Sequence, residues 1–255
     1  MALPFRYRLW FGLLIVLCLL LAGGWLWLRP AHPDALWRIV SGQCLPNQQR
    51  SGQPAPCALV NPAAGFVVLK DRNGPLQYLL LPSAKISGIE SPALLERATP
   101  NYFLQAWQAR GLLARRHGRP IDDSALALTI NSEWGRTQNQ LHIHISCLRP
   151  EVQQQLQQEA GHVTGRWQPL PQPLLGDHWL ARRVTPEELA QQGAFRLLAE
   201  LPEARAHMGR YGLAMMRAKS GDFLLLALPR DVLAFNLASA ETLQDHDCRI
   251  LPPVG

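Results

Sequence analysis

Residues 9–28 form a run of twenty positions without a charged side chain. At a rise of about 1.5 Å per residue, a helix of this length spans about 30 Å, the thickness of the hydrocarbon core of a bilayer. Two arginines precede the run and tryptophans lie near both of its ends, as is typical of membrane-spanning helices. The sequence therefore predicts one transmembrane helix within residues 1–30, with the rest of the chain outside the cytoplasm.

A cleaved signal peptide is the alternative interpretation of this segment. A signal peptide has a shorter apolar region that is followed by an Ala-x-Ala-like cleavage site. The run here ends in AGGWLWLRP, which lacks that pattern. The sequence therefore favours an uncleaved signal anchor.

The charge of the chain gives little support to nucleic-acid binding. The net charge is +6, but residues 1–30 contribute three arginines and no acidic residue. The remainder holds 25 − 3 = 22 basic against 19 acidic residues, or +3. No nucleic-acid partner is expected from this balance, whereas a position near anionic lipid headgroups is compatible with it.

Four cysteines follow the apolar run: Cys44, Cys57, Cys147 and Cys248. An even number of cysteines in an oxidising compartment favours disulfides. Cys44 and Cys57 flank a short proline-containing loop and form the preferred pair, which leaves Cys147 to pair with Cys248. The alternative is that some of them are free buried thiols, which behave as small hydrophobic side chains.

The first half of the chain reads as strand, strand, helix, strand, strand. Residues 65–82 are two apolar runs around DRNG, a pattern typical of a hairpin. Residues 98–118 predict a helix with Thr99 as its N-cap. Residues 124–132 and 141–147 are strand-like. This order predicts an α+β domain with an antiparallel sheet.

The second half is less regular, with helix patterns at 151–161 and 185–192 and a hairpin pattern at 211–229. That hairpin aligns without gaps with the first one at an offset of 147 residues. A degenerate second half and a simple extension both remain open. The predicted division is a signal anchor, a linker with a Cys-stapled loop, a catalytic core and a C-terminal α+β lobe: 1–30, 31–64, 65–150 and 151–255.

The strand LHIHISC carries the candidate site. Side chains alternate between the two faces of a strand. One face is apolar: Leu141, Ile143, Ile145 and Cys147. The other face carries His142, His144 and Ser146. Burying a histidine in a strand core costs free energy unless its imidazole has hydrogen-bond partners, so three polar positions on one face indicate a site.

Two chemistries use such a histidine pair. Both imidazoles could ligate zinc, which needs at least three protein ligands. The candidates for a third ligand are His162, His178, His207 and His246. Alternatively, a neutral imidazole attacks phosphorus and forms a phosphohistidine, while the second histidine orients it or handles a proton.

The residues before the strand favour phosphorus chemistry. Asn131, Thr137, Gln138 and Asn139 offer neutral donors for phosphate oxygens. An acidic cluster of the kind that a magnesium-dependent phosphatase needs is not found beside them in the sequence. No metal or other cofactor is therefore expected.

The motif TQNQLHIHIS resembles the signature of the histidine-triad (HIT) superfamily, in which three histidines alternate with apolar residues. By this resemblance, Asn131 and Gln138 match residues around the phosphate site. LQYLLLPSAKIS resembles the strand and turn that come earlier in the family, with Lys85 where many members have histidine. The third triad position is Ser146 instead of histidine, which leaves open how the leaving group is protonated.

Over residues 1–255 the chain resembles the bacterial CDP-diacylglycerol pyrophosphatases, a divergent HIT branch with a membrane anchor. The resemblance implies a HIT-like sheet and hydrolysis of CDP-diacylglycerol to CMP and phosphatidate. It implies that His144 is the nucleophile and that His142 orients the phosphate. The implied phosphate- and nucleotide-binding residues are Asn131, Gln138, Asn139, Ser146 and Lys85. It also implies a single-pass protein of the bacterial inner membrane, with its catalytic domain on the periplasmic side and lipid beside it.

Two other function classes remain open. The first is a metal-dependent phosphoesterase in which His142 and His144 are ligands. The second is a membrane-anchored nucleotide-binding protein with a decayed site, which the serine at position 146 suggests. The oligomeric state is also open, because the C-terminal lobe could occupy the sheet edge at which many HIT proteins pair.

Overall fold

The computed structural model describes residues 10, 14–19 and 32–252. The chain divides into two units, Met1–Pro33 and Asp34–Gly255. In the first unit, residues 14–19 are helical and exposed. Among the described residues, no helix is both long and apolar enough to cross a membrane. Most of the run at 9–28 lies outside the described residues, so the transmembrane helix remains a prediction.

The second unit is built on one ten-stranded sheet in which every paired strand is antiparallel. The strands are β1 (Cys57–Asn61), β2 (Phe66–Lys70), β3 (Tyr78–Pro82), β4 (Leu126–Ile130), β5 (Ile143–Leu148), β6 (Gln168–Pro169), β7 (Leu180–Val184), β8 (Tyr211–Arg217), β9 (Phe223–Pro229) and β10 (Gln244–Asp245). Their order is β1-β2-β3-β5-β4-β8-β9-β7-β6, and β10 pairs with β5. The predicted α+β class with an antiparallel sheet is confirmed.

Short helices connect and cover the strands. The α-helices are α1 (Ala35–Ile39), α2 (Leu45–Ser51), α3 (Tyr102–Ala109), α4 (Gly111–His117), α5 (Pro150–Glu159), α6 (Pro186–Gln192), α7 (Ala194–Leu198) and α8 (Pro202–Ala206). A π-helical turn at Val40–Cys44 joins α1 to α2. The 3₁₀ turns are Pro92–Leu95, Asp123–Ala125, Ala160–His162, Met208–Arg210 and Ala240–Leu243.

The helix predicted at 98–118 is present but begins later and is divided into α3 and α4. The prediction that Thr99 is its N-cap is wrong, because the Thr99 hydroxyl donates to the carbonyl of Ala93 instead. Asn101 caps α3, and its side-chain oxygen accepts from the backbone N–H of Leu104 at 3.2 Å. An asparagine directly before the first helical residue satisfies an N–H group that would otherwise lack a partner.

The segment expected to be a linker and a stapled loop is more ordered than its composition suggests. Residues 35–51 are helical, and Val40 and Cys44 are completely buried. Residues four positions apart share one helix face, so these two side chains pack together against the sheet. A disulfide joins Cys44 to Cys57 at the start of β1, as predicted.

The two faces of the sheet differ in how they are covered. On one face, helices α3, α4, α6 and α7 pack on a large apolar core. On the other face, α1 and the π-helical turn cover β2 and β3, while α5 covers β8 and β9, with a separate small apolar cluster under each. The histidine face of β5 lies between these clusters, since His144 has Leu79 of the first cluster as one neighbour and Thr129 as the other. The fold therefore leaves a polar gap in the middle of this face.

Candidate active site

Strand β5 separates its side chains as the alternating sequence predicts. The four apolar residues at 141, 143, 145 and 147 lie in the large core. His142 and His144 lie on the opposite face, with ring centroids 4.9 Å apart, and are only 8% and 5% exposed. Two buried imidazoles in contact need hydrogen-bond partners, and these partners decide what each ring can do.

His142 has its partner within its own segment. Its Nδ1 lies 2.7 Å from the carbonyl oxygen of Gln140. A carbonyl oxygen can only accept, so Nδ1 carries the proton in this hydrogen-bond network. The Nε2 atom of neutral His142 then has a free lone pair, which can accept a proton.

His144 has partners from two distant parts of the chain. Its Nδ1 lies 3.1 Å from Gln77 Nε2 and 3.3 Å from Glu241 Oε1. The Gln77 amide also donates to Asp71 Oδ2 at 2.7 Å and to the same Glu241 oxygen at 3.3 Å. With the two Gln77 protons directed to these carboxylates, Nδ1 of His144 donates to Glu241 and the lone pair is on Nε2. That Nε2 is buried without a hydrogen-bond partner among the described residues.

Burial keeps both histidines neutral. Loss of solvation and, to a smaller extent, the neighbouring His144 lower the pKa of His142 to about 4. Loss of solvation also lowers the pKa of His144 to about 4, although Asp71 acts in the opposite direction. At neutral pH both rings are therefore uncharged, which is the form with a free lone pair.

Glu241 joins the C-terminal segment to the histidine strand. Its backbone N–H donates to Asn131 Oδ1 at 3.0 Å, and Asn131 Nδ2 donates to its Oε2 at 3.1 Å. His246 Nε2 lies 3.0 Å from Oε1. The sequence alone does not indicate Glu241, which lies 97 positions beyond His144. The predicted disulfide between Cys147 and Cys248 is present, and this pairing was the one signal that places the segment beside β5.

The turn between β2 and β3 forms the facing wall of the site. It supplies Asp71 and Gln77, which sequence analysis treated as parts of a hairpin turn. Gly74 in this turn has a φ of 65°, and a Cβ atom there would clash with the backbone carbonyl of His246. Glycine is therefore required both for the backbone conformation and for the close approach of the two segments.

These elements enclose a pocket of about 350 Å³. Its lining residues come from α1, the β2–β3 turn, the segment before β5, and the C-terminal segment: Ala35, Leu36, Ile39, Pro56, Leu69, Lys70, Asp71, Arg72, Asn73, Leu79, Asn131, Gly135, Thr137, Gln138, His142, His144 and Glu241. A pocket of this size accommodates part of a small ligand. Lys70 and Arg72 supply the positive charge that suits an anionic one.

The structure brings together only some of the predicted binding residues. Asn131 and Gln138 line the pocket, and Gln138 Oε1 accepts from the backbone N–H of Leu36 at 3.2 Å. Ser146 is completely buried beyond His144, and its Oγ has no hydrogen-bond partner among the described residues. Asn139 is exposed and does not line the pocket.

The other predicted binding residue, Lys85, is also outside the pocket lining. Its Nζ forms an exposed ion pair with Asp34 at 3.3 Å. A lysine in such a pair is held at the surface by a weak interaction. Its role in substrate binding remains a prediction.

The alternative of a metal site depends on which donor groups lie close together. Across residues 32–252, no three histidine, cysteine, aspartate or glutamate side chains are grouped as a metal ion would require. Zinc sites in proteins use three or four such ligands. Among the described residues, His142 and His144 are therefore not part of a ligand set of this kind.

Comparison with known proteins identifies the family. The family model for CDP-diacylglycerol pyrophosphatase (CDH) matches residues 31–252. Among solved structures, a DUF4931 family protein from Bacillus cereus ATCC 10987 is similar, with 13% sequence identity and a TM-score of 0.43, over 68% of this chain and 85% of that chain. Because the family model covers most of the sequence, the chain belongs to the CDP-diacylglycerol pyrophosphatase family and is a hydrolase of CDP-diacylglycerol.

Proposed function

We propose that the chain is a divergent HIT enzyme that hydrolyses CDP-diacylglycerol to CMP and phosphatidate through a covalent CMP–histidine intermediate on His144. The observation that carries this proposal is the state of His144. It is a buried neutral imidazole of the pocket lining, its Nε2 has no hydrogen-bond partner among the described residues, and its Nδ1 faces a carboxylate. An activated nucleophile is typically arranged in this way, with a second group orienting the ring.

In the first step, the lone pair of His144 Nε2 attacks the phosphorus on the CMP side. The bond from that phosphorus to the bridging oxygen breaks, and phosphatidate leaves with the bonding electrons. The histidine of the adduct is positively charged, and the Glu241 carboxylate beside its Nδ1–H stabilises that charge, as an aspartate does for the histidine of a catalytic triad. Glu241 therefore acts as a positioning residue for His144.

In the second step, water attacks the phosphorus of the CMP–histidine. His142 Nε2 accepts a proton from that water, and the bond between phosphorus and His144 Nε2 breaks to release CMP. The proton on His142 then passes to solvent, which restores both neutral rings. The low pKa of His142 in its buried position favours this return to the neutral form.

The remaining pocket residues bind the diphosphate. Lys70 and Arg72 neutralise its charge, and the amide groups of Asn131 and Gln138 hold phosphoryl oxygens. Ser146 is not among the lining residues; its buried hydroxyl, which has no partner among the described residues, would donate to the transferred phosphoryl group or place the water. Each of these contacts strengthens as negative charge develops on the phosphoryl oxygens.

We also propose that the enzyme acts at the outer surface of the bacterial inner membrane. Two disulfides in one chain are typical of a protein in an oxidising compartment such as the periplasm. The predicted anchor within residues 1–30 holds the enzyme where its substrate is, because diacyl chains keep that substrate in the bilayer. Tethering raises the effective concentration of both partners.

The test is a search for the covalent intermediate. The full-length protein, solubilised in detergent with EDTA, is incubated with CDP-diacylglycerol while CMP release is followed. Digests prepared without acid are then examined by mass spectrometry for CMP on the peptide that contains His144. We expect CMP release with an adduct on His144. The variant His144→Ala should form no adduct, and its rate of CMP release should fall at least about 1,000-fold. The variant His142→Ala keeps the nucleophile and should release CMP slowly.

His162, an exposed histidine outside the site, provides the matched control. The variant His162→Ala should release CMP at the rate of the unmodified protein. If CMP release required added zinc, His142 and His144 would be metal ligands and the proposed mechanism would be wrong. An adduct that remains in His144→Ala would assign the nucleophile to another residue.

A further inference from the structure

Residues 230–238 lead from β9 towards the segment that holds Glu241, and they expose a group of apolar side chains. This group, named here the apolar tip, consists of Val232, Leu233, Phe235 and Leu237, which are 59%, 94%, 94% and 47% exposed. Turns are ordinarily built from polar residues and glycine. A group of neighbouring exposed apolar side chains typically marks an interaction site.

The apolar tip is held by its own hydrogen bonds. The backbones of Asp231 and Asn236 pair in both directions, at 3.0 and 2.8 Å. The Asp231 side chain accepts from the N–H groups of Leu233 and Ala234 at 2.9 and 3.2 Å. The loop is therefore ordered with its apolar side chains directed outward, which lowers the entropy lost when a partner binds them.

The base of the loop is attached to the rim of the active site. The Ser132 hydroxyl donates to the carbonyl of Leu237, and the Ser132 N–H donates to the carbonyl of Ala238 at 3.0 Å. Ser132 directly follows Asn131, which lines the pocket. Gly135, another lining residue, lies so close that a Cβ atom there would be 3.2 Å from the carbonyl of Leu237. Whatever binds the apolar tip is therefore brought next to the pocket.

We propose that the apolar tip inserts into the lipid bilayer beside the active site and holds the pocket at the level of the substrate headgroup. This inference rests on the lipid substrate of the proposed function. The diacyl chains of that substrate lie in hydrocarbon while its diphosphate must enter the pocket. A hydrophobic anchor next to the pocket satisfies both requirements at once.

Two neighbours of the apolar tip suit the interface of a membrane. The indole of Trp134 is 44% exposed, and the Arg230 guanidinium lies 4.2 Å from its ring centre. Tryptophan and arginine both favour the headgroup region, where the ring is half buried and the cation meets anionic lipid. This arrangement places apolar side chains at the end of the loop and interfacial side chains at its base.

The small area of the apolar tip favours a bilayer over a protein partner. A stable protein interface buries about 800 Å² on each side. An aromatic side chain contributes about 150–250 Å² and an aliphatic one less, so four partly exposed side chains fall below that area. A bilayer has no such minimum, because each inserted apolar group adds to the binding independently.

The first test measures insertion directly in the full chain. Cys18 is the one free cysteine among the described residues, so the change Cys18→Ser gives a background for labelling. An environment-sensitive fluorophore is attached at Leu233→Cys and, in a control, at Leu59→Cys. Leu59 is 38% exposed on β1, six strands away from β9 in the sheet. In vesicles of phosphatidylethanolamine and phosphatidylglycerol, we expect a blue shift and quenching by spin-labelled acyl chains at position 233 and neither at 59.

The second test separates bilayer docking from chemistry. The double variant Leu233→Asp with Phe235→Asp is compared with the control Leu59→Asp, on vesicle-embedded CDP-diacylglycerol and on a water-soluble short-chain analogue. Loss of two inserted apolar side chains should lower the rate on vesicles about tenfold or more, while the rate on the soluble analogue stays unchanged. The control should match the unmodified protein on both substrates.

The outcomes separate this inference from the proposed function. A label at position 233 that stays in water beside vesicles overturns the inference, even if the enzyme is fully active. A label that becomes shielded without vesicles as protein concentration rises would identify a second copy as the partner and would also overturn it. Absence of a CMP adduct would contradict the proposed mechanism and leave the fluorescence result unaffected.

Discussion

The hairpins β2–β3 and β8–β9 align residue for residue at an offset of 147 positions, but only one of them contributes to the candidate site. Gly74 and Gly221 coincide in the two turns, and both have a positive φ. The first turn packs against the C-terminal segment and supplies Gln77, which contacts His144, and Asp71, which accepts from Gln77. The second turn is held by α5, where the Gln157 side chain bonds the backbones of Arg217 and Lys219.

The difference shows that the hairpin sequence does not create the site. β3 lies beside the histidine strand, whereas the neighbours of β9 are β8 and β7, and neither contains a histidine. The site exists where the first turn, β5 and residues 240–248 meet. Substitutions that weaken the contacts among these three segments should therefore lower activity, and matched substitutions at the second hairpin should not.

The largest expected effect comes from the two disulfides. Cys147–Cys248 closes a separation of 101 residues and Cys44–Cys57 one of 13. From the entropy of the unfolded chain, their loss should cost about 4.7 and about 3 kcal/mol. Denaturant unfolding of Cys147→Ala with Cys248→Ala and of Cys44→Ala with Cys57→Ala measures both.

The first of these double variants should also lose activity at temperatures at which it is still folded, because it releases the segment that carries Glu241. The second keeps that segment attached to β5 and should retain more of the activity. If the two double variants lost the same amount of stability and the same amount of activity, the C-terminal segment would stay in place without its disulfide. The attachment of this segment would then not explain why only the first hairpin contributes to the site.

The buried histidines should make stability depend on pH. Burial lowers their pKa from 6.5 to about 4, so between these values the unfolded chain binds protons that the folded chain does not. Stability is then fully present above pH 6.5 and falls as the pH decreases towards 4. The loss is about 3 kcal/mol for one such imidazole. Urea unfolding from pH 7 to 4 measures the slope.

His144→Asn should reduce this slope, whereas the exposed-site control His162→Ala should keep it. In the intact enzyme, kcat/KM should fall with an apparent pKa near 4, because protonation removes the lone pairs that the mechanism requires. If the free energy of unfolding did not change between pH 7 and 4, the two imidazoles would be solvated. This result would contradict the proposal that His144 acts as a buried neutral nucleophile.

The variant Glu241→Gln should lower kcat on the order of 100-fold, because an amide can no longer fix the proton on Nδ1 of His144 or stabilise the charged adduct. KM should change little, since the contact is to the histidine. Asp222 lies in the turn of the second hairpin, 4.0 Å from Arg183, and Asp222→Asn is the matched loss of a carboxylate. Steady-state kinetics of the two variants should differ in kcat. Equal values would remove Glu241 from the mechanism.

The part of the site that the sequence predicts is the part that depends on local geometry. Alternation along a strand requires only neighbouring residues, so the faces of LHIHISC were predicted correctly. Gln77 and Glu241 reach His144 from 67 and 97 positions away, and nothing in their own neighbourhoods distinguishes them from solvated side chains. The pairing of Cys147 with Cys248 was the single long-range constraint in the sequence.

The same reasoning explains the errors in the fold. Thr99 and Asn101 are both acceptable N-caps, but the Thr99 hydroxyl bonds the carbonyl of Ala93 instead of a helix N–H group. Asn101 is chosen because its amide also donates to the carbonyl of Leu189 at 2.6 Å, 88 positions away. The composition of residues 31–64 is typical of a linker, but the contact of Val40 and Cys44 with the sheet orders this segment. Tertiary packing decides both cases.

The smallest expected effect compares the two aligned glycines directly. Alanine in a left-handed conformation costs about 1–2 kcal/mol, which Gly221→Ala should show and Gly74→Ala should exceed, because its Cβ would also clash with the His246 carbonyl. At Gly221 the nearest atom to an added Cβ is Arg217 Nη2 at 3.7 Å, an ordinary contact, so its activity should stay unchanged. At Gly74 the added Cβ must displace the backbone of His246, and with it the segment that carries Glu241. Activity should therefore fall several-fold in Gly74→Ala alone, and equal kcat values for the two variants would show that the first turn does not position the site.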